Sequence, residues 1–207
     1  MRSFDSKMKN GGGSAIEEAS RFFRGTDSVH RALHSITSCL DELKIPYAVA
    51  GGMALVAHGY DRTTTDVDIL LTADGLAQTH RELEGLGYVT PFKDSKNLRD
   101  TATGVRIEFL VAGQFPGDGK PKPVAFPDPA SVGVEKDGIR YLGLPTLIEL
   151  KLASGMTAPH RLKDLADVQE LIKALTLQRD FGQQLDPYVQ AKFAELWDSI
   201  EAAGPQD

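Results

Sequence analysis

Two acids separated by one residue, Asp66 and Asp68 in "TDVDILL", interrupt an apolar run and constrain this chain more than any other feature. In an extended strand alternate residues share a face, so Val67, Ile69 and Leu71 point to one side and Asp66 and Asp68 to the other. The Cα atoms of the two acids then stand about 6.6 Å apart, two strand steps of about 3.3 Å. Like charges at about 4 Å repel by about 4 kcal/mol at an effective dielectric near 20. A cleft tolerates such a pair when a cation lies between them. Mg2+ suits that place, because it commonly takes one or two carboxylates together with substrate phosphates.

A second strand repeats the pattern. In "VRIEFLV", Val105, Ile107, Phe109 and Val111 form one face, and Arg106, Glu108 and Leu110 the other. If this strand lies beside residues 66–71, the carboxylates of Asp66, Asp68 and Glu108 converge on one surface. Three carboxylates with two metal ions are a known arrangement for phosphoryl and nucleotidyl transfer. Upstream, "YAVAGGMALVAHG" places Gly51-Gly52 between an apolar strand and a short helix. A helix start offers unpaired N–H groups with partial positive charge, and glycine lets a polyphosphate approach them closely. A glycine turn followed by D-x-D is a coherent nucleotide site. Read separately, each element is an ordinary turn or a solvated strand edge.

The rest of the chain supplies the frame. Val29, Leu33, Ile36, Leu40 and Leu43 recur at helical spacing after Asp27, and Ile45-Pro46 ends that helix. Strands are expected at 47–50, 66–71, 97–101 and 105–111, with a small hairpin around Lys136-Asp137-Gly138. Helices are expected at 53–58, 73–86, 145–154, 162–175 and 186–202. "GQFPGDGKPKPVAFPDPAS" has no period and is rich in Gly and Pro, so it is a loop, and its length marks it as a substrate-side one. The fold class is therefore α/β (α+β): a mixed β-sheet flanked by helices, with a C-terminal helical subdomain. The expected boundaries are a flexible tail at 1–25, jointed by Gly11 to Ser14, a core at 26–144, and the helical subdomain at 145–207.

Hydrophobic residues make up 41% of the 207, enough to bury a core. The net charge of −6 argues against strong nonspecific nucleic-acid binding. Cys39 is the single cysteine, which excludes an intramolecular disulfide and reads as a small core residue. No window has the apolar length of a membrane span or a secretory leader, so the expectation is a cytoplasmic chain with no membrane partner.

These motifs resemble the DNA polymerase beta-like nucleotidyltransferase superfamily. "GGMALVAHGYDRTTTDVDIL", "LPTLIELKLASG" and "RLKDLADVQELI" look like its minimal bacterial branch, which includes the AbiEii-type toxins. The resemblance covers roughly residues 47–173. It implies a nucleotidyltransferase-like fold and Mg2+-dependent transfer of NMP from an NTP to a hydroxyl. Gly51 and Gly52 would hold the triphosphate, and Arg62 and Thr65 match the lead-in to the acids. Asp66, Asp68 and Glu108 would bind metal at a two-ion site. Lys151 and Asp164 match the later catalytic motifs, with Asp167 one turn on. Many members carry Asp where Glu108 stands, and the longer side chain changes the reach of that carboxylate.

The resemblance favours a tRNA or other toxin-type acceptor with a cognate antitoxin; small-molecule acceptors such as antibiotics are also used within the superfamily. The competing reading is a catalytically degenerate nucleotide-binding or partner-binding module. Other residues have plainer alternatives. Lys151 among leucines can be a snorkelling lysine. Asp164 and Asp167 can belong to a solvated charged face. Arg62 can bind phosphate or pair with Asp61 or Asp66. His58 can line the nucleotide pocket or close a helix. His30 and His34, four residues apart, could hold a metal, but no HExxH glutamate stands at the right place. Lys93, Lys96, Arg99, Lys120 and Lys122 read as surface charge, or as phosphate contacts if the acceptor is RNA.

Overall fold

The computed structural model describes residues 27–204, together with Phe22 and Gly25. The expected N-terminal tail with its Gly-Ser joint otherwise lies outside the described residues.

Helix α1 (Ser28–Glu42) starts where Asp27 accepts hydrogen bonds from the amides of Val29 and His30, and it buries Val29, Leu33, Ile36 and Leu40. Strand β1 (Ala48–Val49) follows and runs directly into α2 (Gly51–Ala57). The glycines are thus the first turn of the helix rather than a turn before it. After β2 (Asp66–Leu71), Thr72 caps α3 (Ala73–Leu83) through the Gly75 amide. This helix stops three residues short of the sequence expectation, because Glu84 turns extended and bridges to Tyr88. The short strand β3 (Tyr88–Val89), too brief for a periodic signal, was not anticipated.

Strands β4 (Leu98–Asp100) and β5 (Arg106–Val111) form the expected hairpin, and β6 (Gly133–Lys136) and β7 (Ile139–Leu142) the second one. A single helical turn, α4 (Pro129–Val132), capped by Asp128, precedes β6 at the end of the Pro-rich loop. The chain ends in α5 (Leu144–Thr157), α6 (Leu162–Ala174) and α7 (Pro187–Ala203).

Among the described residues, all seven strands join one mixed sheet in the order β3-β4-β5-β2-β1-β7-β6. The centre is decisive for the site: β2 and β5 run parallel, with Asp66 opposite Arg106 and Asp68 opposite Glu108. Partners in register share a face, so Val67, Ile69, Ile107 and Phe109 bury their side chains on one side of the sheet. Asp66, Asp68 and Glu108 stand on the other. One apolar cluster runs from α1 through the sheet into the last three helices, including Leu147, Ile148, Leu171 and Phe193. On α7, Phe193 and Leu196 are buried, and Tyr188, Trp197 and Ile200 pack against that cluster, so this helix closes the core. Cys39 packs partly buried against the same cluster.

Candidate active site

Gly51 has φ of +55°, a conformation that side-chain-bearing residues rarely adopt, and a Cβ added to it would overlap the Asp68 carboxylate. The Ala50 amide also donates to the Asp68 carbonyl at 2.8 Å, locking the helix start to the strand. A Cβ on Gly52 would lie 2.6 Å from Thr64 Oγ1, and that hydroxyl donates to Asp66 Oδ1 at 2.8 Å. Each glycine is therefore fitted to one acid of the D-x-D pair. The close approach they permit is first of all to the protein's own side chains, the Asp68 carboxylate at Gly51 and Thr64 at Gly52.

Asp68 reaches the floor of a cavity of about 400 Å3, which Gly51, Lys151, Asp164 and residues of the 113–126 loop also line. Burial and then the neighbouring charge of Asp66 push the Asp68 carboxyl up to about 6, against a partial offset from Lys151 and Arg161. A carboxylate held this way is stabilised by an added cation. Glu108 shares the face but is ion-paired with Arg106 and does not line the cavity. Among the described residues, no group of three or more His, Cys, Asp or Glu side chains is placed to hold a metal ion. Arg106, two residues away on the same face of β5, is the ion-pair partner of the third acid of the expected centre. The donors that fit a hard cation are Asp66 and Asp68.

A buried charge network also reaches the cavity. Lys151 on α5 donates to Asp164 Oδ1 at 3.0 Å and to Asp167 Oδ2 at 2.7 Å, both on α6. Ser154, one turn after Lys151, donates to Asp164 Oδ2 at 2.7 Å, and Arg161 Nε donates to the same oxygen at 2.8 Å. Burial acts to raise the Asp164 carboxyl, but Lys151, Ser154 and Arg161 outweigh it and hold it below the usual range. Asp164 and Asp167 are 5% and 4% exposed, so they belong to no solvated face, and Lys151 is a buried ion-pair donor rather than a snorkelling one. Arg62 Nη1 donates to Asp167 Oδ1 at 2.6 Å, not to Asp61, Asp66 or an open phosphate site.

Other expected residues lie outside the cavity wall. Thr65 is exposed, and the threonine that contacts an acid is its neighbour Thr64. Gly52, Arg62, Thr65 and Asp66 are not in the cavity wall. His58 Nε2 donates to the Leu142 carbonyl at 2.7 Å, fastening α2 to β7 instead of lining the cavity. His30 bonds to Asp27 at the start of α1, and His34 is exposed.

The Pro-rich loop does line the cavity, through Phe115, Pro116 and Phe126 among others. Its neck is closed by Gly113 N donating to Phe126 O and Phe126 N donating to Gln114 O, both at 2.8 Å. Lys122, read from sequence as surface charge, has a side chain only 5% exposed. It donates to the Pro116 carbonyl, to Asp118 Oδ1 and to Thr157 Oγ1 at the end of α5. Lys122→Met removes these bonds, at about 1 kcal/mol each. We expect backbone amides of 113–126 to exchange faster in this variant while those of β2 and β5 are unchanged, as read by hydrogen-exchange mass spectrometry.

Sequence reasoning missed Thr64, Ser154 and Lys122 as contributors. Ser154 had a signal, since it follows Lys151 by three residues on one helix face. Lys122 had none.

No family model and no curated protein matches the chain. Among solved structures, the crystal structure of ANT(2'')-Ia in complex with adenylyl-2''-tobramycin is similar with a TM-score of 0.52 at 14% identity, over 81% of this chain and 97% of that one. A solution structure of the antibiotic-resistance factor ANT(2'')-Ia gives a TM-score of 0.49 at 15% identity, over 82% and 91%. An antigenic nucleotidyltransferase-like protein from Paracoccidioides brasiliensis gives 0.44 at 17% identity, over 69% and 74%. At these identities the likeness is one of architecture: the chain has a nucleotidyltransferase-type fold, a mixed seven-stranded sheet flanked by helices.

Proposed function

We propose that this protein is a metal-dependent nucleotidyltransferase that moves NMP from an NTP to a hydroxyl. In that reaction the acceptor oxygen gives up its proton to solvent and bonds to the α-phosphorus, the bond from that phosphorus to the bridging oxygen breaks, and pyrophosphate leaves with the electron pair. The observation that carries the reading is Asp68: a carboxyl raised to about 6, seated against Gly51 and beside Asp66, at the floor of a cavity that Lys151 and Asp164 also line.

Asp66 and Asp68 would hold Mg2+, which would neutralise phosphate charge and orient the reacting oxygens. The protein's own part is positioning. Thr64 fixes Asp66, Gly51 leaves room for Asp68, and the Lys151–Asp164–Asp167 network holds the opposite wall. Arg161 adds positive charge near Asp68, where a triphosphate would lie. Glu108, paired with Asp68 across the two strands and ion-paired with Arg106, is the third carboxylate on that face.

For the acceptor, two readings have separate support. The sequence resemblance to AbiEii-type toxins points to tRNA and a cognate antitoxin. The shared fold with ANT(2'')-Ia, whose structure holds adenylyl-2''-tobramycin, points to a small molecule. Growth arrest on expression, relieved by a neighbouring gene, supports the first; a modified small molecule recovered from lysate supports the second.

The direct test uses α-labelled NTPs with Mg2+ and acceptor pools. Asp68→Asn is expected to abolish transfer while the chain stays folded. If wild type neither transfers label nor gains thermal stability from NTP with Mg2+, the reading fails. If it gains stability without turnover under any acceptor, the protein is the degenerate binding module instead.

Asp68 also sets a pH signature. Its folded carboxyl is raised from 3.8 to about 6, so the folded state holds the proton more tightly than the unfolded chain. Without metal, this group's stabilisation is full below the unfolded value and is lost as pH rises through about 6. Denaturant unfolding across that window should show the decline in wild type and a flatter profile in Asp68→Asn. Mg2+ should restore wild-type stability on the alkaline side.

A further inference from the structure

The cavity has an unequal charge lining. Its carboxylates are Asp68 and Asp164, and its permanently cationic side chains are Lys96, Lys151 and Arg161. Both oxygens of Asp164 are already taken, Oδ1 by Lys151 and Oδ2 by Ser154 and Arg161. Asp68 is the carboxylate assigned above to a metal ion. No carboxylate in the wall is left to receive an ammonium group.

The cations are not equally occupied. Lys151 is shared between Asp164 and Asp167. Arg161 uses only Nε, so its two terminal nitrogens have no hydrogen-bond partner among the described residues. Lys96 Nζ likewise has none among the described residues, yet its backbone is braced. His80 Nε2 donates to the Lys96 carbonyl at 2.9 Å, and the next residue, Asn97, accepts from the Phe109 amide through Oδ1 at 3.0 Å. A lysine on a fixed turn at a cavity rim is a point charge for an anion. Arg161 and Lys96 reach the cavity from different elements, the turn before α6 and the β3–β4 loop. Arg161 shares the Asp164 carboxylate with Lys151 and Ser154, which sets it on the Lys151 side of the cavity.

We infer that the second substrate carries a phosphate or carboxylate group that seats on Lys96, and that the cavity rejects polyammonium compounds such as aminoglycosides. The assignment rests on the nucleotidyltransferase reading, which gives the triphosphate to the Arg161 end and leaves Lys96 to the acceptor. A polyammonium acceptor would meet Lys96 with no free carboxylate in the wall to offset it, and like charges repel by several kcal/mol at contact distance. An anionic acceptor meets the unpartnered Lys96 ammonium instead.

The test is calorimetric titration of the full chain in Mg2+ with ribose, ribose 5-phosphate, tobramycin and a short single-stranded RNA, repeated with Lys96→Glu. Ribose 5-phosphate should bind more tightly than ribose. Lys96→Glu should weaken it by about tenfold or more while leaving ribose unchanged. RNA binding weakened by the same variant supports the inference with a strand end as the anion source; ribose 5-phosphate binding alone supports it with a free sugar phosphate. Tobramycin binding to wild type, equal affinity of wild type for ribose and ribose 5-phosphate, or phosphate binding indifferent to Lys96→Glu overturns it. The wild-type comparison stands even if the variant misfolds. A non-hydrolysable NTP analogue with Mg2+ serves as the control. If it binds and the sugar phosphate does not, only this inference falls; if it also fails to bind, the nucleotidyltransferase reading falls with it.

Discussion

Gly51→Ala is expected to cost on the order of 2–4 kcal/mol of stability and to abolish transfer, a large effect for one methyl group. Two causes add. The backbone at Gly51 is left-handed, at φ +55°, where alanine is strained. The added methyl would also occupy the space of the Asp68 carboxylate. Asp68 cannot easily withdraw, because its strand is fixed on both sides, by Val49 paired with Ile69 on β1 and by Glu108 paired with Asp68 on β5. Chemical denaturation measures the stability loss, and a labelled-NTP assay measures the activity. A Gly51→Ala protein with wild-type stability and turnover would mean that the close packing of Asp68 on Gly51 is not a feature of the protein in solution. Gly52→Ala should be milder, since the atoms it meets belong to the Thr64 side chain, which can rotate at the cost of its bond to Asp66.

Lys151→Met should be the most destabilising single change in the wall opposite Asp68, by about 3–5 kcal/mol. Methionine keeps the length of the side chain but leaves Asp164 and Asp167 buried without the cation they share. Arg161 still reaches Asp164 and Arg62 still reaches Asp167, so each acid keeps one cation but loses its central one. Neutralising the acids as well, in Lys151→Met/Asp164→Asn/Asp167→Asn, should recover much of the loss, because burying uncharged amides with hydrogen-bond partners costs less than burying unpaired carboxylates. Urea unfolding of the single and triple variants measures this. A loss below about 1 kcal/mol for Lys151→Met would indicate that water solvates the network as it does a surface pair.

The arrangement of strands was legible because its signals are local. Alternation in residues 66–71 and 105–111 assigned the acids and the core residues to opposite faces, and the register of β2 on β5 bears this out. Asp27 as a cap and the helical stripe from Val29 to Leu40 were equally readable. What sequence could not give is partner choice among charges. Glu108 had Asp66, Asp68 and Arg106 within conceivable reach, and the nearest cation took it. Arg62 had nearby acids, Asp61 and Asp66, yet pairs with Asp167, because only folding brings α6 beside the loop before β2. Lys122 looked like any loop lysine, since the acceptors that bury it come from a turn of its own loop and from the end of a helix thirty-five positions later. Periodicity reports which face a residue occupies, whereas ion pairing depends on what arrives opposite that face.

The bond between Arg62 and Asp167 spans 105 positions of the chain. Proteins are made from the N-terminus onward, and domains fold as their segments emerge. Strands β1 to β5 precede α6, so a nascent chain can pair β2 with β5 while the residues that complete the Lys151 network are still unsynthesised. Asp66 and Asp68 would then face solvent on an unfinished hollow, with neither Arg161 nor Asp167 in place. If the proposed transfer is this protein's activity, it would await the docking of the last three helices, which supply Lys151, Arg161 and Asp164.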